Sequence, residues 1–181
     1  PPAHAPEFSR VFAARTCMMA GVGLTGVFLW YLVRFWVYGK AVVLTSAPLT
    51  IPAGFLIAGM AVATLIGAAL ASWAAGPISE RIEEKNIPVA RVVAGACLLY
   101  AIGLGLAWGL GVWSTGTARE NGMLLFALIS GFAFGIYDSL GLELVMDSLP
   151  DPRRAGHDLG IYALANSAGL ALAAIIGALL V

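Results

Sequence analysis

The sequence predicts an all-α polytopic membrane protein, a bundle of five transmembrane spans, on three observations. Of 181 residues, 60% are hydrophobic and only 11% charged, a balance that ordinary soluble domains of this size do not show. The apolar residues fall into five runs, each long enough to cross a hydrocarbon core of about 30 Å as a helix. The densest charge cluster, Gly76 to Lys85, lies between two of these runs, where hydrocarbon cannot host it.

Residues 1–15 read as a cytoplasmic lead-in and 16–181 as a single transmembrane bundle. Phe8 to Arg15 is an interfacial stretch with Arg10 and Arg15 toward water. The first span is 16–38, with Trp30, Tyr31, Trp36 and Tyr38 gathered in its second half as an interfacial aromatic belt. A loop carrying Pro48 follows, and Pro52 suits the first turn of the second span, 53–75. That span spaces Ala63, Gly67 and Ala71 four apart, which lets another helix approach closely. The third span, 91–113, repeats the spacing with Gly105 and Gly109. A polar turn, Ser114 to Asn121, leads to the fourth span, 122–146, which holds the intramembrane acids Asp138 and Glu143. Asp147 to Asp158 is a second charged loop, and the fifth span, 159–181, is still apolar at Val181. The opening Pro1, without Met, and this apolar end lead us to expect a piece of a longer protein.

Arg10, Arg15, Arg81, Lys85, Arg91, Arg153 and Arg154 fall on one side of the bilayer, against Arg34, Lys40 and Arg119 on the other. The excess places the first terminus and both charged loops in the cytoplasm. A formal charge of zero argues against nucleic acid as a partner. Cys17 and Cys97 lie in apolar segments without ligand spacing around them and read as small buried hydrophobes. With no phosphate-cradling glycine loop, no nucleophile-base arrangement and no metal cluster, the chain is expected to need no cofactor and not to be an enzyme.

Gly76-Pro-Ile-Ser-Glu-Arg-Ile-Glu-Glu-Lys85 reads as a tight water-facing turn. Gly76 and Pro77 supply its backbone, Ser79 caps a short helix, and Glu80, Arg81 and Lys85 pair locally. The segment resembles the signature loop of the major facilitator superfamily at Gly76, Ser79, Arg81 and Lys85, with Glu80 where an aspartate is usual. Tyr137 to Gly160 is similar to the loop between the fourth and fifth helices of the C-terminal half in some bacterial members. Asp147, Leu149, Pro150, Ala155, Gly156, Asp158, Leu159, Gly160, Ala165 and Asn166 carry that likeness. With the Pro-Glu-Phe lead-in, the resemblance covers nearly the whole chain and implies family helices seven to eleven. The N-terminal half would then be a missing partner, and the setting the bacterial inner membrane. Gly141 departs from the pattern, standing where the family often has an acid.

Asp138 is the leading candidate, because a carboxylate at bilayer depth must face protein, water or a partner. Gly131, Gly135 and Asp138 share one helical face, so the acid is expected to point inward. Counting about 1.5 Å per residue, Asp138, Asn166 and Thr25 lie at similar depths of roughly 10 to 13 Å. Tyr162 lies one turn before Asn166. By resemblance, these four residues would line a substrate or proton path; a structural hydrogen bond between packed helices is the other reading. The resemblance also implies a conformational latch of Gly76, Ser79, Glu80 and Arg81, with Arg81 pairing to Glu143 or Asp147. The plainer account is a solvated ion pair worth about 0 to 1 kcal/mol. His157 and Asp158 read as capping residues, and Arg34 as a snorkelling anchor.

Two functions follow as expectations. One is a secondary transporter that moves a small solute by alternating access. The other is a non-transporting, transporter-derived subunit that packs around a membrane complex or assists its assembly, favoured by the odd span count and the few polar groups.

Overall fold

The computed structural model describes residues 6–37, 51–113, 117–147 and 155–180, and within these it is helical almost throughout. The helices are α1 (Pro6–Tyr31), α2 (Ile51–Glu84), α3 (Val89–Trp113), α4 (Thr117–Asp147) and α5 (Ala155–Leu180). A π-helical segment, Leu32–Val37, extends α1. All five α-helices are long and apolar enough to cross a membrane, so the chain is a multi-pass, all-helical membrane protein.

All five helices begin earlier than their expected spans, α2 and α3 by two residues and the other three by more. The stretch expected as a lead-in is the first part of α1, which starts at Pro6; α4 starts at Thr117 rather than Gly122, and α5 at Ala155 rather than Leu159. Helices do not stop where hydrocarbon stops, because polar turns at their ends are solvated by water. The loop expected around Pro48 and the centre of the second charged loop lie outside the described residues.

The larger correction concerns Gly76 to Lys85. The chain does not turn at Gly76-Pro77: α2 runs on through Pro77 to Glu84, and Ser79 sits within the helix instead of capping one. At 34 residues, α2 is about 51 Å long, well beyond the hydrocarbon thickness, so its charged last turns extend into water. The reversal comes at Asn86, whose φ is 50°. Asn86 N donates to the Glu83 carbonyl at 3.2 Å and Ile87 N to the Ile82 carbonyl at 3.0 Å. This is a Schellman cap with asparagine in the left-handed position. Pro88 then precedes the first residue of α3.

Packing divides the chain into two compact units, Trp30–Gly141 and Pro1–Leu29 with Leu142–Val181. In the first, α2 and α4 meet backbone to backbone. A Cβ on Gly67 would strike the Leu128 carbonyl and lie 2.7 Å from Phe132 N. One on Gly131 would strike the Thr64 carbonyl, and one on Gly135 would come within 2.6 Å of the Ala71 Cβ. With Gly59 against Leu124, these contacts advance together along both helices, so α2 and α4 are parallel. Contacts of α3 with α4 run oppositely: Tyr100 stacks edge-on with Phe126, Gly103 meets Phe126 and Ile129, and Gly122 meets Leu110. Parallel second and fourth helices with an antiparallel third are what successive crossings of one bilayer require. Within α3 it is Gly103, not Gly105, that makes the close approach, since nothing lies within 4 Å of a Cβ on Gly105. The π-helical segment also packs on α2.

In the second unit, α1 and α5 are parallel. Gly169 abuts Thr16, Met19 and Ala20; Gly23 abuts Leu170 and Ala173; Gly177 abuts Phe28. The surfaces left over are apolar, with Phe55, Leu65, Trp73, Trp108 and Leu179 all prominently exposed, as side chains in contact with lipid would be.

These contacts predict a contrast between two glycine substitutions. Gly131→Val should cost about 1 to 3 kcal/mol by forcing α2 and α4 apart, while Gly105→Ala should stay within about 0.5 kcal/mol, both read from thermal denaturation in detergent.

Candidate functional site

The best-defined polar cluster joins α1 to α5 and centres on Arg15, a residue expected at the water side. Arg15 is instead only 8% exposed. Its Nε donates to Asn166 Oδ1 at 2.8 Å, and its guanidinium carbon lies 5.7 Å from the centre of the Tyr162 ring. Tyr162 and Asn166 are one turn apart on α5, so a single long side chain from α1 spans both. Gly169, on the same face one turn further on, brings the helix backbones close enough for that reach. A guanidinium bonded to an amide oxygen and laid against an aromatic face uses both its donors and its planar surface.

Of the four residues expected to line a path, the structure therefore brings Tyr162 and Asn166 together, with Arg15 between their helix and α1. Thr25 is elsewhere. Its hydroxyl donates to the Gly21 carbonyl of its own helix at 2.9 Å. Arg15 and Thr16 face residues 166–169, whereas Gly23 to Phe28 face residues 170–177. Thr25 and Asn166 thus do not share a layer: α1 begins ten residues earlier than its apolar run and is offset against α5.

Asp138 departs from expectation in a different way. Gly131 and Gly135 do pack against α2, yet Asp138, one turn beyond them, is exposed. A shared stripe fixes a side chain's direction around its helix, but helices that cross at an angle part beyond their contact. Ser139 beside it is exposed as well.

For the latch, Gly76, Glu80 and Arg81 are exposed on the last turns of α2, Ser79 is half-buried there, and Glu143 is half-buried near the end of α4. Asp147 is the last residue of α4; its side chain, like that of Arg34, is outside those described. His157 Nδ1 lies 3.3 Å from Asp158 Oδ1 at the start of α5, where an acid suits the helix dipole. Cys17 and Cys97 are unbridged, and neither is fully buried as expected: Cys17 is exposed and Cys97 half-buried. Among the described residues no three His, Cys, Asp or Glu side chains come together as metal ligands.

Sequence reasoning missed Arg15 because it stands at the edge of an apolar run, where a water-facing position is the default. The available signal was its partner face, since Tyr162, Asn166 and Gly169 put two polar groups beside a glycine.

The chain matches no family model, no curated protein and no solved structure.

Replacing the acceptor should weaken this cluster measurably. Asn166→Ala is expected to cost about 1 to 3 kcal/mol and Tyr162→Leu about 0.5 to 2 kcal/mol, read as losses of unfolding free energy in detergent.

Proposed function

We propose that the chain is most of the C-terminal half of a secondary transporter of the major facilitator type, residing in a bacterial inner membrane and moving a small solute by alternating access. The observation that carries this reading is Asp138, an acid exposed on α4 twenty-one residues after its start and nine before its end. A carboxylate at that depth must face protein, water or a partner. A water-filled path between two halves meets that need. The order of the signature-like segment in α2 and the Asp147 to Gly160 segment supports the same assignment, as does the parallel run of α2 and α4 with α3 opposed to them. In this reading the N-terminus of α1 is cytoplasmic, the N-terminal half is the missing partner, and Arg81 latches to Glu143 or Asp147 in one of two states.

One observation favours the alternative, a transporter-derived subunit that does not transport. The hydroxyls of Thr25, Thr64 and Ser72 are all turned onto carbonyls of their own helices, which leaves few polar groups for a solute.

The test is proton movement in inside-out vesicles made from cells expressing the protein with its natural flanking sequence. Addition of small polar solutes in turn is expected to collapse a preset pH gradient for at least one of them, and Asp138→Asn to abolish that response. Absence of any response, with a stoichiometric membrane partner retained through purification, would transfer the assignment to the subunit reading.

A further inference from the structure

We infer that Arg15 sets the register of α1 on α5, and that without it the pair can seat one helical turn away. The face that α5 turns toward α1 has a four-residue rhythm of small side chains: Ala165, Gly169, Ala173 and Gly177 are all buried. Opposite them stand Thr16, Met19, Ala20, Gly23 and Phe28. Sliding one helix along the other by a turn exchanges glycine for alanine at each contact and otherwise returns a similar surface. A methyl group at the Gly169 contact would meet the Thr16 carbonyl and Ala20 N, so a slipped pair also has to move its backbones apart.

The polar contact distinguishes them strongly. Asn166 is the single asparagine of α5, and Arg15 reaches it at 2.8 Å. One turn away in either direction the same place on α5 is held by Tyr162 or Leu170. A slipped pair would therefore exchange a charge-assisted hydrogen bond for a ring or a hydrocarbon chain. Burying a guanidinium is unfavourable in itself, and an apolar side chain would pack the interface at less cost; fixing register is the best-attested use of such a buried polar group. The inference rests on α1 and α5 alone and is independent of whether the chain transports.

The distance between spin labels on Cys17 and Leu179→Cys, in the full chain with Cys97→Ala, tests this in lipid nanodiscs. Cys17 and Leu179 are both exposed, on α1 and α5 respectively. With Arg15 present, one narrow distance distribution is expected. In Arg15→Met a second population should appear, displaced by up to about 5 Å, one turn of helix. Asn166→Ala keeps the arginine and removes only the acceptor; it should show the same second population and serves if Arg15→Met fails to fold. A single unshifted distribution in Asn166→Ala, or in a folded Arg15→Met, would overturn the inference.

Discussion

Hydrocarbon offers no hydrogen bond, and nearly every feature of this chain follows from that constraint. Backbone groups are paired within helices, and mid-helix hydroxyls bond back to their own carbonyls, Thr64 to Met60 at 2.9 Å and Ser72 to Ala68 at 3.0 Å. Helices cannot be driven together by expelling water, so they meet where glycine lets backbones touch. Gly67, Gly131 and Gly135 do this for α2 and α4, and Gly23 and Gly169 for α1 and α5. The polar groups that remain are then conspicuous. Arg15 is enclosed by a neighbouring helix, and Asp138 is left exposed.

Those two residues show opposite solutions to one electrostatic problem. Arg15 is long enough to turn sideways and find an amide and a ring within its own unit. Asp138, with its shorter side chain, is exposed on α4. A transporter half and a membrane-complex subunit are the two proposed functions; the first sets Asp138 beside water, the second beside protein.

How much of this was legible in the sequence follows from which forces act locally. Five spans could be read from apolar run length, because transfer into lipid depends on composition alone. Helix ends could not, since the helix continues through the polar stretches Pro6 to Arg15 and Gly76 to Glu84, where hydropathy is silent and hydrogen-bonded continuity decides. The close approach at Gly67 was visible in a four-residue spacing, but Gly105, picked out by the same spacing, faces open space. Spacing shows that a face exists and says nothing of whether a helix lies against it. The pairing of Arg15 with Asn166, 151 residues apart in the chain, depends on the offset of α1 against α5, which no local pattern encodes.

Pro77 lies inside α2, about two turns before its end. Proline has no N–H to give the carbonyl of Trp73, and its ring crowds that carbonyl. The weak point falls where α2 leaves its apolar stretch, so water can hydrate the displaced oxygen. Helix on either side stays stiff, and the Schellman cap at Asn86 holds the far end together. The charged tip carrying Glu80 and Arg81 lies beyond the glycine contacts of α2 with α4, and Ile82 within it is buried.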